Sequence, residues 1–187
     1  MNQEALRSRL LIELDCVSLD AVAVAKELDS SQLGWRPPGG GWGIGQLLEH
    51  LILANDCYLG MLRPRIYARN APHSEQGTAF WEPSIAGWLL VAGLRSKRRL
   101  PAPKPFAVGP TAREKVLDEF LVRQQQTMTF LRATAALDWT RLRMTSPVNK
   151  LVRINLGDAF SIMTVHAQRH IKQMEKIRDL EGFPGKS

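Results

Sequence analysis

The chain has 187 residues, 44% of them hydrophobic and 23% charged. That length and balance fit one domain spanning 1–187 and exclude a disordered or collagen-like chain. Lys and Arg number 25 against 18 Asp and Glu, a net charge of +7 with an isoelectric point near 9.8.

Two cysteines, Cys16 and Cys57, are too few for a disulfide scaffold or a Cys-based zinc finger. They read as reduced thiols on helices. The longest apolar run, Ile85 to Leu94, is broken by glycines and ends at Arg95, which is too short to cross a bilayer. The first residues include an acid and no apolar stretch, so no signal peptide is expected and the chain reads as cytoplasmic.

Residues 2–29 place Leu10, Leu14, Val17, Ala21, Val24 and Leu28 at alternating spacings of four and three, an amphipathic helix stripe. Residues 30–42 hold Arg36-Pro37-Pro38-Gly39-Gly40-Gly41 and read as a loop. A second helix is predicted from about Gly43 to Arg63, with Pro64 ending or kinking it because proline lacks an N–H. The connection 64–110 is long, and its apolar run Ser84–Leu94 is predicted to form a short helix packed on the others. A third helix is predicted from Thr111, where Glu114 completes a capping box behind Pro110. Its stripe is Leu117, Phe120, Leu121, Gln124, Met128, Leu131 and Ala135. The fourth opens near Asn155, a good N-cap, with Asp158 suited to the positive helix start, and closes at Gly182 and Pro184. No strand pattern competes.

Four long amphipathic helices bury their stripes on one another, so the expected fold is all-α, a four-helix bundle. An extended chain covers about 3.3 Å per residue, whereas the second helix is only about 32 Å long. The connection can therefore traverse the bundle, letting the second and third helices run parallel. The densest basic cluster, Arg95, Lys97, Arg98, Arg99 and Lys104, falls in a Pro-rich stretch with few aromatics. It reads as a solvated loop, which leaves nucleic acid a distant third among functions.

The histidines carry the chemistry. His166 and His170 are four apart, one turn apart on one helix face. His50 borders the inward face of the second helix. An i,i+4 pair plus one residue from a facing helix can supply three ligands to a divalent ion and leave positions open, as catalytic sites do. Imidazole suits Zn, Ni, Cu or Fe over Mg or Ca. Taken singly, each histidine also reads as a satisfied half-buried residue. His73 lies in a loop and reads as solvated. Glu49, Asp56 and Glu175 lack the Glu-x-x-His spacing of di-iron bundles. Asn55 and Gln173 read either as groups that orient a ligand ring or as ordinary helix amides. No phosphate-binding loop and no Gly-x-Ser-x-Gly elbow occurs.

These residues resemble the DinB/YfiT-like superfamily of metal-binding four-helix bundles. Trp35-Arg36-Pro37-Pro38 followed by Gly41-Trp42-Gly43-Ile44 through His50-Leu51 is similar to the family's approach to its second helix. His166-Ala167-Gln168-Arg169-His170-Ile171-Lys172-Gln173 is similar to its H-x-x-R-H-x-x-Q on the last helix, and Pro101-Ala102-Pro103 fits its approach to the third. Gly43 stands where a serine cap is usual, and Gly caps nearly as well.

The resemblance implies an up-down-down-up bundle and a triad of His50, His166 and His170 holding Zn or Ni. It also implies a thiol-dependent S-transferase or isomerase, using a low-molecular-weight thiol and a small electrophilic substrate. Metal-assisted hydrolysis is a variant on the same site. The alternative is a non-catalytic binding or dimerising bundle with structural histidines. A homodimer is expected, and no membrane partner.

Overall fold

Among the described residues, Asn2, Asp29, Ser84 and Asn155 each start a helix with a short polar side chain. The computed structural model describes residues 1–74, 79–96, 106–109 and 115–185. In α1 (Gln3–Ala25) the Asn2 side chain accepts the Ala5 N–H at 2.9 Å. A second short helix, α2 (Ser30–Gly34), lies inside the stretch expected to be loop, and Asp29 and Gln32 cap it reciprocally. The third, α3 (Ile44–Ile66), starts at Gly43, which closes against the Trp35 carbonyl where a Cβ would sit 2.0 Å from that oxygen. The expected serine-like cap therefore has no room here. Next come α4 (Ile85–Arg95), α5 (Val116–Ala133), the strands β1 (Arg143–Ser146) and β2 (Asn149–Asn155), and α6 (Leu156–Arg178).

The main packing runs α1 on α5 and α6, and α3 on α5 and α6, with α4 laid along α6. The core divides into two clusters. One gathers Leu6, Leu10, Leu14, Leu62 and Phe160 around the fully buried Trp139. The other gathers Val17, Ile44, Leu47, Leu51, Phe120 and Met174. Asn55 and Gln124 fall between them, both buried, with Asn55 Nδ2 donating to Gln124 Oε1 at 3.0 Å. Asn55 is thus spent on α5 and does not orient a histidine.

Three expectations need correction. Helix α3 passes through Pro64 to Ile66. The carbonyl that proline leaves without a donor belongs to exposed Gly60 and is open to solvent, so one lost bond near the helix end is tolerated. Residues 137–154 are more than a connection, since β1 and β2 form an antiparallel hairpin that pairs Met144 with Ile154. Both are buried while Leu151 is 92% exposed, so the apolar residues do not alternate cleanly and the strands are too short to register as a pattern. The stretch 30–42 is also more than a loop, since it holds α2, whereas α4 is the short packed helix expected over Ser84–Leu94. The capping box Thr111/Glu114, the prolines 101 and 103 and most of the basic cluster lie outside the described residues.

Helix α6 holds both ends of α4. At its start, Asn155 and Asp158 form a capping box, and Asp158 also receives the Ser84 hydroxyl at 2.6 Å and the Ser84 N–H. Ser84 in turn caps α4 through the Gly87 N–H. One buried carboxylate thus serves two positive helix ends. Trp81 Nε1 donates to Asn155 Oδ1 at 2.8 Å. Glycine is required at 87 and 157, where a Cβ would lie 2.1 Å from Asp158 and 2.2 Å from Trp81. Further along, Arg169 donates to the Leu94 carbonyl at 2.8 Å and to the Ser96 carbonyl, closing the end of α4.

Candidate metal centre

His50 comes from the second turn of α3, and His166 and His170 from the middle of α6. The two helices pack together and bring all three Nε2 atoms to one point. His166 Nε2 lies 3.0 Å from His50 Nε2 and 3.0 Å from His170 Nε2. The rings meet edge to face. His50 and His170 are buried and His166 is half-buried. No Asp or Glu joins this cluster among the described residues.

The outer nitrogens decide how the inner ones are loaded. His50 Nδ1 lies 2.8 Å from the Phe106 carbonyl oxygen, and a carbonyl can only accept, so Nδ1 carries the proton. His170 Nδ1 likewise donates to Gln173 Oε1 at 3.2 Å. A neutral ring with its proton on Nδ1 presents a lone pair at Nε2. Burial lowers the pKa of all three. For His50 the Phe106 bond opposes that effect. His166 is pushed well below the usual histidine range by burial, with the positive fields of His170, His50 and Arg169 adding to it. His170 is pushed down to about 3 by burial first and His50 second. All three rings are therefore neutral near pH 7, and at least two lone pairs face one point.

The surroundings hold this arrangement. Trp42 is half-buried with its ring 4.7 Å from the His50 ring. Residues 106–109 strap the site, since Phe106 bonds His50 and the Gly109 carbonyl accepts Gln46 Nε2 at 2.7 Å. The Phe106 carbonyl escaped the sequence reading because a main-chain group far along the chain leaves no residue signal. Gln173 was legible three residues after His170. His73 is exposed, as expected. Asp56 pairs with Arg123 at 2.6 Å, outside the cluster.

A model of the DinB superfamily matches residues 19–174. The chain belongs to the DinB superfamily. A solved relative of similar fold is YfiT from Bacillus subtilis, described as a probable metal-dependent hydrolase with an unusual four-helix bundle topology. It is 17% identical, with a TM-score of 0.60 over 96% of this chain and 89% of YfiT. A search of curated proteins finds no match. At that identity the likeness carries the bundle architecture alone. For this DinB-superfamily chain no helix among the described residues is long and apolar enough to cross a membrane.

Proposed function

We propose that this chain is a metal-dependent enzyme acting on a small substrate, with His50, His166 and His170 holding one divalent ion, Zn or Ni. The observation that carries this reading is the convergence of three Nε2 atoms, with the outer partners of His50 and His170 turning those two lone pairs inward. Nitrogens about 2.0–2.1 Å from a shared ion stand roughly 2.9–3.4 Å apart for bond angles between square and tetrahedral, and the 3.0 Å separations fall in that range. Without a cation, converging lone pairs repel. The donor set, the spacing and the neutral state of the rings all fit a borderline divalent metal.

Bound there, such an ion would supply Lewis-acid chemistry, lowering the pKa of a thiol or a water. The chain's own groups prepare the site. The Phe106 carbonyl and Gln173 fix the two outer tautomers. Trp42 shields one side of His50 from water. Thiol transfer to a small electrophile is our first reading, and hydrolysis, the activity named for YfiT, the second. The same reading takes the bundle as up-down-down-up, supported by Arg178 near the end of α6 bonding the Ala23 and Val24 carbonyls at the end of α1.

The test is metal content of untagged protein. About one divalent ion per chain is expected, lost in His166→Ala with the helix content unchanged. Retention of metal in that variant, or none bound under any loading condition, overturns the site and leaves a non-catalytic bundle. A screen pairing small thiols with electrophiles, run beside ester and amide hydrolysis, then separates the two chemistries.

A further inference from the structure

Gln46 sits one turn before His50 on α3, so the two side chains leave the same face of the helix. It is 4% exposed, and its amide makes two bonds. Oε1 accepts the Gly43 N–H at 3.2 Å, and Nε2 donates to the Gly109 carbonyl at 2.7 Å. The first bond belongs to the start of α3. The second reaches a segment 63 residues along the chain, the same segment whose Phe106 carbonyl meets His50 Nδ1.

We propose that Gln46 is a positioning residue for His50. By clamping Gly109 it holds the Phe106 carbonyl on Nδ1, and so keeps the His50 Nε2 lone pair turned toward His166 and His170. The pairings set the direction. Gln46 takes the late end of the strap and His50 the early end, so residues 106–109 run antiparallel to α3. The helix rises about 6 Å from 46 to 50, a distance that three residues of chain, at most about 10 Å long, can cover. Two bonds one turn apart fix the strap in position and direction, whereas a single bond lets it pivot.

The other neighbours of His50 do not have this effect. Trp42, its ring 4.7 Å from the His50 ring, restricts the plane of the imidazole, but a π face does not choose between the two ring nitrogens. The buried Phe106 ring meets His50 at 6.0 Å, edge to face. It anchors the early end of the strap and leaves the direction of its carbonyl to the main chain that Gly109 ends. Among the described residues that carbonyl is the acceptor at Nδ1. With the proton on Nε2 instead, the ring aims a donor at the site.

Capping alone is the competing role. Glutamate is a usual capping-box partner, and negative charge favours a helix start. If Gln46 served only α3, Gln46→Glu would be harmless. For a clamp it is damaging, because an ionised carboxylate accepts from Gly43 but cannot donate to Gly109. Gln46→Met, of similar size, removes both bonds.

Nitrogen-15 NMR of the metal-free full chain at about pH 8, where histidine is neutral, reads the His50 tautomer directly. The unaltered chain is expected to carry its proton on Nδ1. Gln46→Glu and Gln46→Met are each expected to populate the Nε2–H form, with the circular dichroism spectrum of a folded helical protein. Competition with a chelator is then expected to show metal bound about tenfold more weakly in both variants. This second readout rests on the triad being a metal site, and the tautomer does not. A chain that binds no metal therefore sinks the site while the NMR still decides the clamp. A His50 ring protonated on Nε2 in the unaltered chain, one that stays Nδ1-protonated in both variants, or one that shifts in Gln46→Met but not in Gln46→Glu overturns the proposal.

Discussion

Helix α6 carries two buried polar clusters, and they are built on opposite principles. At its start, Asp158 accepts from the Asn155 N–H, the Ser84 N–H and the Ser84 hydroxyl, while Asn155 gives to the Glu82 carbonyl and takes from Trp81. Every donor there has an acceptor. Two to three turns later, His166 Nε2 lies against the Nε2 lone pairs of both His50 and His170 and has at most one proton to offer the two. Both clusters are desolvated, and burial shifts both in the direction of the neutral form, Asp158 upward and the histidines downward. The difference is closure. A cluster that satisfies itself anchors the fold, whereas one with fewer protons than acceptors has room for a cation.

Three measurements break or sharpen that contrast. The largest effect is expected at the closed cluster. Asp158→Ala leaves the Ser84 and Asn155 N–H groups without their acceptor and removes the negative charge from two helix starts, which destabilises by roughly 3–5 kcal/mol. Urea unfolding reads this, and metal bound per folded chain stays the same. A loss below about 1 kcal/mol would make the node ornamental.

Next is acid. The histidine pKa values are depressed on folding, so the unfolded chain binds more protons below its ordinary value of 6.5. The metal-free protein is therefore fully supported above pH 6.5 and loses stability as the pH falls towards 3, by up to about 1.4 kcal/mol per pH unit for each ring. Asp158, with its raised pKa, contributes in the opposite sense. Unfolding free energies that stay flat between pH 7 and 5 would show that the rings are solvated.

The smallest effect belongs to an outer partner. Gln173→Leu frees His170 Nδ1, so metal affinity drops about tenfold while the unfolding midpoint barely moves. A competition titration with a chelator measures it, and an unchanged affinity would reduce Gln173 to a surface amide.

How much of this was legible depends on the range of the signal. The stripe Leu10, Leu14, Val17, Ala21 repeats every turn of one helix and needs no partner to be read. The pair His166 and His170 is equally local, and so are the caps Asn155 and Asp158. The hairpin was missed because Met144 and Ile154 are buried by pairing with each other, across an intervening turn, and exposed Leu151 spoils the alternation. Asn55 looked like a neighbour of the histidines in sequence, yet it faces α5 and bonds Gln124.

Local periodicity, then, was enough to determine which segments coil, which residues their faces bury and which side chains have the chemistry of metal ligands. Only the tertiary structure decided that His50 meets the α6 pair at 3.0 Å, that a main-chain oxygen at Phe106 sets its tautomer, and that one carboxylate caps two helices. The physical reason is distance along the chain. Helix formation is governed by contacts three and four residues apart, whereas the site joins groups separated by 56 and 116 residues, and their meeting is settled by how the helices pack.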